Sequence, residues 1–132
     1  MKALKTPLRY PGGKSRACTK MDQFLPDLNR YKEFREPFLG GGSVSLHIIK
    51  KYPHLEIWVN DLYEPLINFW TELQKDGLTL KNELTNLKIA HCNQDSARCL
   101  FDVMKETVND KTKTDLERAV AFYVVNKCSF SG

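Results

Sequence analysis

Two short runs hold the residues that can do chemistry in this chain. Tyr10-Pro11-Gly12-Gly13-Lys14 sets an aromatic ring, a flexible turn and a cation side by side. Arg35-Glu36-Pro37-Phe38-Leu39-Gly40-Gly41-Gly42-Ser43 closes on three consecutive glycines, and Asp61 follows 19 residues after the last of them. Glycine lets backbone approach a ligand because no Cβ stands in the way. A carboxylate beyond such a loop can accept hydrogen bonds from ribose hydroxyls. The pattern describes a nucleotide-type cofactor site at the edge of an α/β sheet.

Rival chemistries fit these residues less well. Gly12-Gly13-Lys14-Ser15 has the end of a P-loop, but Leu8 stands where that loop needs its first glycine. The dinucleotide fingerprint G-x-G-x-x-G lacks its last glycine, because position 45 is a serine. Taken alone, Gly12-Gly13-Lys14 suits either an anion-binding turn or a plain helix start, and Asp61 alone suits a helix N-cap. Glycine loop and acid together favour the ligand site. Tyr10 either covers a ligand face or packs on the first helix. His47 has no nucleophile partner at a telling spacing and reads as structural. The cysteines at 18, 92, 99 and 128 and the histidines at 47, 54 and 91 give no zinc-ligand spacing, so no metal site is expected. Reduced, mostly buried thiols are expected instead.

Elements must position these residues. Ala17, Met21, Phe24, Leu25 and Leu28 fall at helical spacing and predict an amphipathic helix over 14–25. Phe34 to Phe38 reads as a strand, with Pro37 near its end. Ser43 to Lys51 reads as a helix on the glycine loop, ended by Tyr52-Pro53-His54. Leu55 to Asn60 is a second strand, and the run Ile57-Trp58-Val59 predicts burial on both faces. Pro65 opens a helix with Leu66, Ile67, Trp70 and Leu73 inward, and Gly77 reads as its stop. Alternating strands and helices predict a parallel α/β unit. Beyond Gly77 only helices are expected: one through Leu80, Leu84 and Leu87, one from Ala97 to Val108, and one after the capping box Thr114-Asp115-Leu116-Glu117. Asn126 to Gly132 reads as a loop-like tail. Two strands are too few for a doubly wound sheet, so either strands are hidden from this reading or the chain is the front part of a larger domain.

Composition bounds the rest. The 132 residues are 42% hydrophobic and 27% charged, enough for one domain with a core. No apolar run approaches the ~20 residues of a membrane span, and no signal peptide is visible, so a cytoplasmic protein without membrane partner is expected. The net charge of +4 is uneven: residues 1–35 hold nine Lys/Arg against three Asp/Glu. A basic segment beside a near-neutral body suits a nucleic-acid partner or, equally, a solvated basic face.

The quoted runs, with Asn60-Asp61 and Pro65-Leu66-Ile67, resemble the Dam-type DNA adenine N6-methyltransferases. The tail Asn126-Lys127-Cys128-Ser129-Phe130-Ser131-Gly132 resembles that family's Asn-Arg-x-x-Phe-Asn-Gly segment. The resemblance spans Tyr10 to Gly132. It implies a partial Rossmann-like S-adenosylmethionine-dependent methyltransferase fold with a helical DNA-recognition insertion. Residues 1–77 would form the S-adenosylmethionine-binding part, and 78–132 the truncated start of the recognition region. Tyr10, Lys14, Phe38, Gly40 and Ser43 would line the cofactor, and Asp61 would hold its ribose hydroxyls. Arg9 would lie near double-stranded DNA. Asn126 and Lys127 would face the phosphate backbone, where Lys for the family's Arg keeps the charge but loses the bidentate fork. The family's catalytic Asp-Pro-Pro-Tyr is absent: no Asp-Pro or Pro-Pro pair occurs in the 132 residues. No catalytic residue is therefore assigned. The expectation is the N-terminal part of an adenine N6-methyltransferase, inactive by itself. The alternatives are a non-catalytic DNA-binding remnant, or a subunit whose partner chain supplies the catalytic motif.

Overall fold

The computed structural model describes residues 4–129. The chain divides into two compact units, one ending at Leu62 and one beginning at Tyr63.

The first unit is built around a strand–helix–strand segment. Strand β1 (Glu33–Glu36) pairs in parallel with β2 (Glu56–Val59), in the register Phe34 to Ile57 and Glu36 to Val59. Two parallel neighbours need a crossover. Here it is the glycine loop followed by a helix over Ser43–Lys51. Before β1, Pro11-Gly12 forms a turn closed by Gly13 N–H donating to the Tyr10 carbonyl at 3.0 Å, and Gly12 has φ 68°. Proline followed by a left-handed glycine is the signature of a type II turn. The helix expected over 14–25 is shorter: a 3-10 turn at Lys14–Arg16 and then helix α1 (Cys18–Met21). No side chain caps either N-terminus, and Phe24, expected in the apolar stripe, is 86% exposed. The Ser43–Lys51 helix is α2. Its Val44 and Ile48 pack with Cys18, Leu28 and Leu55, and Met21, Leu25, Phe34 and Ile57 close around them.

This core covers one face of the sheet. The expectation that β2 is buried on both faces is corrected: Ile57 packs on the core, but Trp58 is 56% exposed. The Arg35 guanidinium lies 6.0 Å from the Trp58 ring centre, a cation–π contact on the side away from α2.

The second unit is helical: α3 (Glu64–Ala90), α4 (Gln94–Thr107) and α5 (Asp115–Cys128). α3 is two helical segments, and the first ends next to Gly77, where a stop is expected. The break falls at Asp76 (φ −154°, ψ 77°), and the helix restarts at once because the Asp76 carboxylate accepts from Thr79 N–H and Oγ at 3.0 and 2.6 Å. That is an N-cap within the chain of α3, and it holds the Asp76 carboxyl below the usual aspartate range. The Thr114/Glu117 capping box forms as expected. Phe69 is the centre of the core, 5.6 Å from Phe122 and stacked on Tyr123 at 5.7 Å. Leu66, Leu80, Ala119 and Ala121 complete it. The guanidinium of Arg118, 4% exposed, donates to the Val108 carbonyl at 3.3 Å and pairs with Glu64. Lys111 reaches the same carboxylate at 2.9 Å. The expected loop-like tail is also corrected, since Asn126 to Cys128 form the last turn of α5; residues 130–132 lie outside the described residues. Among the described residues, no helix is long and apolar enough to cross a membrane.

Candidate functional site

The first unit contains a cavity of about 300 Å³, at the lower end of the ~300–1,000 Å³ range of small-molecule pockets. Its floor is the turn between β1 and α2. The chain leaves β1 at Glu36, passes Pro37-Phe38-Leu39 and reverses at Gly40 and Gly42, with φ of 52° and 75°. Both angles lie in the left-handed region that side chains disfavour. Leu39 N–H donates to the Asn60 carbonyl at 2.9 Å, which ties the loop to the end of β2. Asp61 follows, and its carboxylate accepts from Gly40 N–H at 2.9 Å.

The N-terminal loop forms the facing wall. Tyr10 lies against the glycines so closely that a Cβ on Gly40 would come within 3.0 Å of its ring, and one on Gly41 within 2.9 Å of its Cβ. Lys14 donates to the Phe38 carbonyl at 3.3 Å and stands 3.7 Å from Glu36. Glu36, 7% exposed, also accepts from Ser45 N–H at 3.1 Å and from Ser45 Oγ. Cys18 backs this wall, with its thiol directed at the Lys14 and Ser43 carbonyls; burial, and then the nearby Glu36 and Asp22 carboxylates, push that thiol up from its ordinary value.

Tyr10, Lys14, Phe38, Gly40, Ser43 and Asp61 all line this one cavity. Phe38 presents its ring outward, 78% exposed. Glu36 also lines the cavity; it lies in the quoted run, but sequence reading assigns it no role. It ends a strand just before a proline, so it reads as a strand terminus, although a carboxylate directly preceding a glycine loop is a signal in itself. The remaining candidates lie elsewhere. Arg9 is exposed in the first unit. Asn126 is 7% exposed within α5, and the Lys127 ammonium lies 5.4 Å from the Tyr123 ring centre. His47 meets Asp22 at 2.9 Å, and Lys51 meets the same carboxylate at 2.9 Å, which holds α1 to α2. Lys51, and then His47, lower the Asp22 carboxyl. Among the described residues, no three His, Cys, Asp or Glu side chains gather in a metal-holding group. The expectation of mostly buried thiols is corrected: Cys18 is buried, and Cys92, Cys99 and Cys128 are exposed.

Comparison with known proteins adds a family. A family model described as D12 class N6 adenine-specific DNA methyltransferase matches residues 10–132. Type II methyltransferase M.MjaIII of Methanocaldococcus jannaschii is 25% identical over 95% of this chain and 46% of its own length. The DNA N-6-adenine-methyltransferase of Escherichia phage P1 is 27% identical over 94% of this chain and 15% of its own. Type II methyltransferase M1.LlaDCHI of Lactococcus lactis is 23% identical over 94% of this chain and 41% of its own. The chain thus spans less than half the length of each of these relatives.

Proposed function

The chain belongs to the D12 class N6 adenine-specific DNA methyltransferase family, and from that premise we propose that its first unit binds S-adenosylmethionine for adenine N6-methylation of double-stranded DNA in the cytoplasm. The observation that carries the reading is the convergence of Tyr10, Lys14, Phe38, Gly40, Ser43 and Asp61 on one cavity. The strand–loop–helix–strand arrangement supports a Rossmann-like reading of the first unit, as the start of a larger sheet.

The donor set suits the cofactor. The glycines let Tyr10 pack directly on the loop, which sets its ring at the cavity wall. Asp61 offers acceptors for ribose hydroxyls, Lys14 a cation for a carboxylate, and Tyr10 and Phe38 offer aromatic surface. When bound, S-adenosylmethionine supplies an electrophilic methyl on a sulfonium. The part of this chain is to bind and orient. Asp61 is held by Gly40 N–H, and Lys14 by Glu36 and the Phe38 carbonyl, so both charged groups are in place before a ligand arrives.

The residues that the family resemblance assigns to methyl transfer are not among these 132, so transfer belongs to an assembly that includes Asp-Pro-Pro-Tyr, in the same chain or in a second one. The helical unit opens the DNA-recognition region in this reading. Arg9 and Lys127 neutralise phosphates, whereas Asn126 is covered within α5. Isothermal titration tests the proposal. S-adenosylmethionine binds one per chain, and Asp61→Ala weakens binding by ~10–100-fold, the cost of hydrogen bonds to a charged group. A folded chain that gives no binding heat, or an Asp61→Ala variant with unchanged affinity, contradicts it.

A further inference from the structure

We infer that Glu36 is a positioning residue of the cavity, through which one buried carboxylate sets both Lys14 and the first turn of α2 for the amino-acid part of the cofactor. The inference rests on the S-adenosylmethionine reading of the site.

The geometry divides the carboxylate between two tasks. Oε2 accepts from Ser45 N–H at 3.1 Å and from the Ser45 hydroxyl, and so fixes the N-terminus of α2. Oε1 faces the Lys14 ammonium at 3.7 Å. The backbone of Glu36 is fixed as well: it closes β1, and its carbonyl accepts from Asn60 N–H at 2.9 Å. Strand, helix start and N-terminal loop therefore meet at this side chain, on the cavity wall.

A structural role alone does not account for the charge. An ionised carboxylate buried to 7% exposure costs free energy unless it is paired and hydrogen-bonded. A neutral side chain would serve Ser45 without that cost. What the charge adds is Lys14, whose side chain is 47% exposed and needs no partner for its own solvation. Lysine is a flexible point charge on a four-carbon stem. Held by Glu36 and the Phe38 carbonyl, it stays at the cavity instead of sampling solvent. Glu36 thus acts on the ligand through Lys14, and its effect is confined to the part of the ligand that Lys14 addresses.

The test compares two ligands by isothermal titration: S-adenosylmethionine, and 5′-methylthioadenosine, which keeps the adenosine and lacks the amino-acid part. Thermal melts run alongside to report folding. Glu36→Gln weakens S-adenosylmethionine ~10-fold or more, as expected for bonds to a charged group, and leaves 5′-methylthioadenosine within about twofold. Lys14→Met gives the same selective loss, and the double variant loses little more than either single one, because the two residues act as a unit. Equal loss for both ligands in Glu36→Gln, no loss for either, or fully additive losses in the double variant overturns the inference while the cofactor reading stands. If the wild-type chain binds neither ligand, reading and inference fail together. If Glu36→Gln does not fold, the Lys14→Met comparison decides, since Lys14 lies at the surface: unchanged S-adenosylmethionine affinity there overturns the inference.

Discussion

At the scale of single residues, the glycines show which constraints are conformational and which are set by neighbours. Gly12 and Gly40 both have positive φ, at 68° and 52°. A Cβ at Gly12 would meet nothing within 4 Å, whereas at Gly40 it would meet the Tyr10 ring at 3.0 Å. Gly12→Ala therefore carries the left-handed strain alone, ~1–2 kcal/mol. Gly40→Ala carries the same strain and must also displace the ring. Denaturant melts of the two variants should rank Gly40→Ala as the more destabilised; equal losses would show that Tyr10 does not confine the loop. The glycine run, the tyrosine, the lysine and the aspartate were legible because each stands at a short, fixed offset from a strand or helix start. Glu36 was not, because its partners Lys14 and Ser45 are brought to it by the turn, and nothing in the local pattern names them.

At the scale of elements, what a residue's neighbours along the chain decide was readable, and what distant partners decide was not. The capping box at Thr114 needs only residues 114–117, and it forms. Helix α2 follows from the glycines and its own apolar stripe. The stop read at Gly77 falls within one residue of the break at Asp76, and the Asp76 carboxylate caps the next turn, so a second helical segment follows without a loop. The run Ile57-Trp58-Val59 is continuous, yet only Ile57 packs on the α2 core, because a strand's neighbours decide which apolar residues are covered. The helical unit carries a pH dependence of its own. Lys111 first, and then Arg118, hold the Glu64 carboxyl below the usual glutamate range. A carboxyl depressed in the folded state contributes stability that is complete above its unfolded value, about 4.3, and is lost as pH falls through the folded one. Urea melts of the wild type should therefore hold from neutral pH to about pH 5 and fall below about pH 4. Glu64→Gln should lower stability at neutral pH and make that acid limb shallower. An acid limb identical to wild type would remove Glu64 from the network.

At the scale of the molecule, cofactor binding is proposed for one unit and the start of DNA recognition for the other. The basic balance of residues 1–35 and the exposed Arg9 predict that DNA affinity falls with salt. Arg9→Ala and Lys127→Ala should each reduce the slope of log K against log salt by about 0.9, one released counterion apiece; a slope unchanged by both would place DNA elsewhere. The central claim is that S-adenosylmethionine occupies the cavity between the Tyr10–Lys14 loop and the glycine turn. Titrating the isotope-labelled chain with the cofactor and following backbone amides by NMR tests it most directly, because the glycine signals report on the floor of the site. Saturable shifts are expected at Gly12, Gly13, Gly40, Gly41 and Asp61, with the amides of α4 unmoved. A spectrum that does not change, or changes confined to the helical unit, would contradict it.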